Sequence, residues 1–241
     1  MIEPLLLTTV RICTFDGDRL LTGASGFFFA RDERLFLVTS RHVVIDTPSG
    51  HEPSRVEIEF HTDLQNLAAS SVLSIPLYQD GTAVWRQGAD AGGDIDVAVI
   101  ELDRSALPPT VPLCCFTPQH LQSSLNEVEV GTSVLVVGFP LGFHDTLHHL
   151  PVVRQAVIAS SFGMRFQGQG YFLTDARTHR GLSGAPVVMR TTPNDTDLPW
   201  TLLGVHSARL DIGNRDQDMD ETLGLNCAWY ADILLTLTAG D

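Results

Sequence analysis

Residues 181–189 read Gly-Leu-Ser-Gly-Ala-Pro-Val-Val-Met, a serine enclosed by small residues directly before a β-branched run. Glycine allows backbone angles that other residues avoid and leaves space for a substrate carbonyl beside the serine. Such a loop suits acyl transfer, with Ser183 as nucleophile and the amides of Gly181 and Ser183 as an oxyanion hole. It is not the G-x-S-x-G elbow of α/β-hydrolases, because Ala185 occupies the last position. Taken alone, the motif also fits an ordinary glycine turn.

The rest of the chain consists mostly of short apolar runs between turn residues. Residues 27–30 and 35–38 are apolar and flank the polar stretch 31–34, which predicts a β-hairpin. Residues 56–60 alternate between apolar and charged side chains, as a half-buried strand does. Four further apolar, β-branched runs are typical of buried strands: 97–100, 134–137, 187–189 and 202–205. Many short strands favour an all-β barrel or sandwich.

Helical patterning is limited to residues 117–125 and 228–237. Prolines interrupt the middle of the chain, which we interpret as a linker between two β-rich halves of similar size. The predicted organisation is an N-terminal half over about 5–105, a linker over about 106–129, a C-terminal half over about 130–227 and a helix over about 228–238.

Composition excludes several classes of protein. The 241 residues, 44% of them hydrophobic, suffice for one substantial domain or two small ones. A net charge of −14 argues against nucleic acid as a partner, because each phosphate contact needs a cation. No run of 18 uncharged apolar residues suggests a membrane span.

The cysteines and the first residues bear on location. Cys13 and Cys227 are far in sequence from each other and from the adjacent pair Cys114-Cys115. Adjacent cysteines rarely form a disulfide with each other without backbone strain. No C-x2-C spacing suggests zinc. The first residues carry Glu3 rather than a cation, and no A-x-A-like cleavage site follows. We therefore expect reduced thiols and a cytoplasmic protein.

Two more candidate residues lie at strand ends. His42 follows the apolar run at 35–38, and Asp96 immediately precedes the run at 97–100. Each alone is more often structural or a turn residue than catalytic. Together with Ser183, however, they occur in the chain order His, Asp, Ser that chymotrypsin-like enzymes use.

Six segments in order carry a resemblance to a known family: Gly-Ala-Ser-Gly-Phe-Phe at 23–28, Val-Thr-Ser-Arg-His-Val-Val at 38–44, Asp-Val-Ala-Val-Ile at 96–100, Val-Gly-Phe-Pro-Leu-Gly at 137–142, Thr-Asp-Ala at 174–176 and Gly-Leu-Ser-Gly-Ala-Pro at 181–186. Over about 22–235 the sequence resembles trypsin-like (chymotrypsin-fold) serine peptidases, specifically the HtrA-type and glutamyl-endopeptidase branches. The last segment is looser than the usual G-N/D-S-G-G/S-P. The resemblance implies an all-β fold of two packed six-stranded antiparallel barrels, an active site in the crevice between them and a C-terminal helix.

The resemblance also implies roles for single residues. Ser183 would be the nucleophile, His42 the general base and then acid, and Asp96 the group that orients the imidazole. Asp94 is the nearest rival of Asp96, but the apolar run follows Asp96 directly, as in the family's D-L-A-V-L pattern. Ser207 matches the serine that supports the buried aspartate.

Leu182 departs from the secreted members of the family. Those zymogens carry an aspartate just before the nucleophile, and a newly cleaved N-terminal amine pairs with it. A leucine cannot form that ion pair, so we expect activity without N-terminal cleavage.

The specificity pocket is expected to favour an acidic substrate side chain. The residues at the implied pocket walls include no carboxylate and offer several donors: Arg177, Thr178, His206, Ser207, Arg209 and Asn226. His206 stands where glutamyl endopeptidases carry a histidine. The alternative is a buried structural His206 and a small apolar pocket, as in HtrA-type enzymes.

The sequence thus predicts a serine endopeptidase that uses no cofactor and no metal and acts on a protein or peptide. Two alternatives stay open: a pseudoprotease that serves as a binding or scaffold module, and a viral-type processing protease with the same chemistry. An intracellular peptidase also suggests control by a protein partner or by substrate. The histidines at 144, 148 and 149 and the acidic stretch 216–221 could contact a metal, but we interpret both as solvated loops.

Overall fold

The computed structural model describes residues 2–107, 113–124, 127–191, 197–209 and 224–240. The acidic stretch 216–221 therefore lies outside the described residues.

The N-terminal half is a seven-stranded antiparallel sheet in the order β5-β4-β1-β2-β3-β9-β8. The strands of this sheet are β1 (Thr9–Asp16), β2 (Arg19–Arg31), β3 (Arg34–Thr39), β4 (Arg55–His61), β5 (Ser70–Pro76), β8 (Trp85–Asp90) and β9 (Gly93–Leu102). Two short strands, β6 (Tyr78–Gln79) and β7 (Thr82–Ala83), form a separate hairpin. The sheet has one strand more than the six that the family resemblance implied.

The C-terminal half is a closed six-stranded barrel in the order β10-β11-β12-β15-β14-β13. Its strands are β10 (Ser133–Gly138), β11 (Val152–Ile158), β12 (Tyr171–Asp175), β13 (Pro186–Arg190), β14 (Trp200–Arg209) and β15 (Leu225–Tyr230). In the ranges that the structure describes, the α-helices are α1 (Arg41–Val44) and α2 (Ile233–Leu237). Single 3-10 turns lie at Pro4–Leu7, Thr47–Ser49, Arg104–Ala106, Pro118–His120, Pro140–Gly142 and Phe166–Gly168. The all-β, chymotrypsin-like fold class is confirmed.

Local sequence explains several of these elements. The predicted hairpin is formed by β2 and β3, with Phe27 opposite Val38 and Arg31 opposite Arg34. Its turn residues Asp32 and Glu33 both have positive φ, the backbone that a two-residue hairpin turn requires. The alternation at 56–60 corresponds to β4, whose residues are alternately buried and partly exposed.

The predicted C-terminal helix is confirmed, but it begins later than the sequence pattern indicated. Residues 228–230 belong to strand β15, and the C-terminal helix begins only at Ile233. The reason is that Ala228 and Trp229 are covered on both faces of the strand, so their apolar run lacks the alternation of a half-buried strand. Of the second predicted helix, over 117–125, the described residues 117–124 contain one 3-10 turn at Pro118–His120 and no α-helix.

One hydrophobic cluster joins the two halves. It includes Phe27 and Val97 from the N-terminal sheet, Val205 and Trp229 from the barrel, and Leu234 from α2. Two further clusters lie within the sheet and within the barrel. Because the first cluster is shared, the halves are held against each other by the same apolar burial that stabilises each of them.

Candidate active site

His42 and Asp96 are brought together by the pairing of β3 with β9. These antiparallel strands place Thr39 opposite Ala98, so the residues after Thr39 lie beside those before Ala98. Asp96 accepts two hydrogen bonds from His42: the backbone N–H donates to Oδ1 over 2.8 Å, and ring Nδ1 lies 2.7 Å from Oδ2. The carboxylate therefore fixes both the ring and the start of the helix that carries it.

Asp94 lies outside this contact. Its side chain is 66% exposed, and its ion pair among the described residues is with the guanidinium of Arg41, at 3.9 Å. Of the two aspartates that the sequence offered, the structure brings Asp96 to His42.

The pKa values of the pair shift in opposite directions. Burial lowers the pKa of His42, but the hydrogen bond to Asp96 and the negative charge of Asp96 raise it more, and the net shift is upward. Burial raises the pKa of Asp96, whereas hydrogen bonds from His42 and Ser207 and the charge of His42 lower it, and the net shift is downward. Both shifts favour an imidazolium beside a carboxylate.

Ser207 connects Ser183 to this pair. Its hydroxyl donates to Asp96 Oδ2, and its carbonyl accepts a hydrogen bond of 3.1 Å from the Ser183 hydroxyl. Ser183, Ser207, Asp96 and His42 thus form a continuous hydrogen-bonded chain across the two halves of the molecule.

Two glycines shape the loop that carries Ser183. Gly181 and Gly184 have φ values of +95° and +85°, which are strained for residues with a side chain. A Cβ at Gly184 would overlap the backbone oxygen of Ser25. Leu182, between them, is fully buried in the barrel cluster and fastens the loop to the core.

The carbonyl groups of this loop are all engaged elsewhere. Arg180 O accepts from Leu141 N over 2.6 Å, and Gly181 O accepts from the Ser25 hydroxyl over 2.7 Å. Leu182 O and Ser183 O accept from the amides of Ala185 and Ser25. Within the described part of the chain, the amides of Gly181 and Ser183 donate to no protein acceptor. Both amides are therefore available to an external oxygen.

The predicted pocket residues are only partly available to a substrate. The Thr178 hydroxyl already donates to Asn226 Oδ1, and the Asn226 amide donates to backbone carbonyls, including that of Ala176 over 2.7 Å. Arg177 is exposed. The side chain of Arg209 lies outside the described residues.

His206 is the exception in this wall. Its side chain is buried, and among the described residues its Nδ1 has no hydrogen-bond partner. Burial and the nearby charge of His42 lower its pKa to about 4, so the ring is neutral at pH 7. A buried, unsatisfied ring nitrogen costs free energy unless a ligand completes it.

Ser25 was not identified from its sequence. It lies in a segment that contributed to the family resemblance, but a serine between small residues in a strand has no feature that distinguishes a structural hydroxyl from a solvent-exposed one. Its contacts become visible only when the two halves are packed together.

Metal binding and membrane insertion find no support in the described part of the chain. Over the described ranges, no group of three or more His, Cys, Asp or Glu side chains is arranged to hold a metal ion. Likewise, none of the helices in those ranges is both long and apolar enough to cross a lipid bilayer.

Two β-rich halves with a serine, a histidine and an aspartate at their junction define the chymotrypsin-fold class of proteins. The family model described as "Trypsin-like peptidase domain" matches residues 24–193. The match covers more than half of the chain, so the chain belongs to this family of trypsin-like peptidases.

Solved structures of HtrA-type proteases share the fold. An HtrA-type protease, AlgW with a tripeptide, aligns with a TM-score of 0.57 and 16% identity, covering 96% of this chain and 58% of that one. The serine endoprotease from Yersinia pestis gives 0.56 and 16%, covering 96% and 61%. The chain thus spans about 60% of the length of these proteases.

A shorter relative is covered more fully. The Rv3671c protease from M. tuberculosis in its active form aligns with a TM-score of 0.53 and 16% identity, covering 99% of this chain and 85–86% of the solved forms of that protease. No curated protein sequence matches significantly.

Proposed function

We propose that the protein is a serine endopeptidase that hydrolyses peptide bonds through Ser183, His42 and Asp96. The observation that carries the proposal is the hydrogen-bonded chain from Ser183 through Ser207 and Asp96 to His42. An ionised, buried carboxylate that orients an imidazole is the arrangement that activates a serine hydroxyl for attack on a carbonyl once the hydroxyl turns toward the ring.

In this mechanism Ser183 Oγ attacks the substrate carbonyl while His42 Nε2 takes its proton. The amides of Gly181 and Ser183 donate to the oxygen of the tetrahedral intermediate. His42 then protonates the leaving amine, and water hydrolyses the acyl-enzyme with His42 again as base. In the resting structure the Ser183 hydroxyl donates to Ser207 O, so attack requires its rotation toward His42.

The test is a double-mutant cycle on Ser183 and His42. Ser183→Ala and His42→Ala should each lower kcat by roughly 10⁴- to 10⁶-fold, and the double variant should lose little more, since both residues act in one step. Peptide hydrolysis that survives Ser183→Ala would refute the assignment and leave a binding or scaffold role for the fold.

We further infer an acidic preference at the substrate residue before the cut, now with His206 as its main donor. The support is the buried Nδ1 without a partner: a substrate carboxylate that reached it would satisfy this nitrogen and favour protonation of the ring. Thr178 and Arg177 contribute less than the sequence predicted, because the first is bonded to Asn226 and the second is exposed.

A peptide library varied at that single position measures the preference. We expect kcat/KM for Glu or Asp to exceed that for Ala or Val, and His206→Gln to reduce this ratio. Cleavage chiefly after Val, Ala or Leu, unchanged in His206→Gln, would make His206 a structural histidine.

We also propose that the protein works in a reducing compartment, the cytoplasm. All four cysteines, Cys13, Cys114, Cys115 and Cys227, are free thiols. Burial raises the pKa of Cys115 to about 12, which keeps that thiol protonated and unreactive.

A further inference from the structure

Ser25 is fully buried in β2 and fully bonded. Its hydroxyl donates to Gly181 O over 2.7 Å and accepts from the Phe139 amide over 3.0 Å. Its own amide donates to Ser183 O over 2.9 Å, and its carbonyl accepts from Thr39 Oγ1 over 2.8 Å. One residue of the N-terminal sheet thus bonds two separate loops of the C-terminal barrel.

These two loops together set the direction of the Gly181 amide. That N–H belongs to the Arg180–Gly181 peptide, whose carbonyl oxygen is held by Leu141 N. Leu141 follows Phe139 in the 3-10 turn that Ser25 bonds at its beginning. The Ser25 hydroxyl also donates to the Gly181 carbonyl, which belongs to the next peptide, Gly181–Leu182. The Ser25 hydroxyl therefore holds the residues on both sides of the Gly181 amide: the 3-10 turn that bonds Arg180 O, and the carbonyl of Gly181 itself.

The surrounding backbone leaves room for this hydroxyl. A Cβ at Gly138 would lie 2.5 Å from Ser25 Oγ, and one at Gly181 would overlap Phe139 O. Glycine at both positions lets the strand and the loop approach the serine closely enough for both hydrogen bonds.

We propose that Ser25 is a positioning residue that holds the Gly181 amide in the direction needed to stabilise the oxyanion. This inference rests on the proposed peptidase function, in which Gly181 supplies that amide. Removing the hydroxyl leaves a buried N–H at Phe139 and a buried carbonyl at Gly181 without partners, and the loops must shift to satisfy them. The loss falls on the transition state, because only there does the substrate oxygen need the amide.

The experiment compares Ser25→Ala with Thr14→Val in the full chain. Thr14 is a matched control, since its buried hydroxyl also donates to and accepts from backbone, at Thr22, but supports no loop of the site. Ser25→Ala should lower kcat by about 10- to 100-fold, less than direct loss of an oxyanion donor. KM should stay within about threefold, and a peptide aldehyde, which mimics the oxyanion, should bind correspondingly more weakly.

A merely structural role predicts a different pattern. In that case Ser25→Ala would keep kcat within about twofold of the wild type. Alternatively, it would lose activity only in proportion to a lowered Tm, as Thr14→Val does. Either result overturns the proposal. If Ser25→Ala does not fold, Ser25→Cys is judged by the same criteria, because a thiol of similar size is a weaker donor.

The failure of this proposal differs from failure of the proposed function. Undiminished activity in Ser183→Ala contradicts the peptidase mechanism and, with it, the role of Gly181. Inactive Ser183→Ala together with fully active, folded Ser25→Ala contradicts the role of Ser25 alone.

Discussion

At the scale of single residues, Asp96 receives more polar contacts than any other member of the candidate triad. The backbone and ring of His42 and the hydroxyl of Ser207 all donate to its carboxylate. These donors hold the pKa of Asp96 low in spite of burial, and the resulting charge holds the pKa of His42 high. The protonation of His42 therefore depends mainly on Asp96, with smaller contributions from the charges of Asp46 and Arg41.

This dependence predicts a pH profile. His42 must be neutral to accept a proton, and its pKa is raised above the usual 6.5, so kcat/KM should rise with pH through a midpoint above 6.5. In Asp96→Asn the two largest contributions that raise the pKa of His42 are lost and the smaller one from Asp46 remains, so burial dominates and the midpoint should move below that of the wild type. Its kcat should fall by about 10⁴-fold.

Asp94→Asn is the control for that experiment. Asp94 is two residues away and largely exposed, and it does not touch His42, so its substitution should leave the midpoint and kcat unchanged. A shift in Asp94→Asn without one in Asp96→Asn would reverse the assignment of the two aspartates.

At the scale of elements, the loop from Gly181 to Gly184 is held by apolar burial and by hydrogen bonds to Ser25 and His206. Leu182 is fully buried, where secreted relatives would place an aspartate for an ion pair. The N-terminal turn at Pro4–Leu7 buries Leu5 and Leu7 in the molecule. Neither feature depends on a newly formed amino terminus.

The intact 241-residue chain is accordingly expected to be active. Mass spectrometry of the protein recovered from a peptidase assay should give the unprocessed mass, because no charged pair at Leu182 has to form first. Activity that develops only as the first several residues are lost would show that cleavage is required.

The elements also show how far sequence patterns reach. The hairpin at 27–38 and the strand at 56–60 were predictable because turn chemistry and alternation are local signals. Strand β15 was misread in part because a strand buried on both faces has no alternation. The triad order was visible in the sequence, whereas the bond from Thr178 to Asn226 and the four bonds of Ser25 depend on tertiary packing and leave no local pattern.

At the scale of the whole molecule, the C-terminal segment that contains α2 packs against the N-terminal sheet and so links it to the barrel. Leu234 is 0% exposed in the shared cluster, and Leu235, the next residue, is 42% exposed. Arg31 and Arg86 of the sheet donate to the carbonyls of Leu235 and Ala239, over 2.6 and 2.7 Å. These contacts hold the two halves together, and the candidate site lies at the junction of the halves.

Leu234→Ala should therefore destabilise both halves together. A cavity in the shared cluster should cost about 2–5 kcal/mol in urea unfolding, and the transition should stay single. Leu235→Ala, in the same helix, should change stability by no more than about 0.5 kcal/mol. Equal effects of the two substitutions, or loss of amide protection in only one half, would contradict a shared core.

The central claim is that Ser183 is an activated nucleophile beside a formed oxyanion hole. A fluorophosphonate probe tests it most directly, because covalent labelling requires both features at once. We predict one adduct, mapped by mass spectrometry to Ser183, that is absent from Ser183→Ala and strongly slowed in His42→Ala. Failure of the folded wild-type protein to react, or equal labelling of Ser183→Ala, would contradict the account.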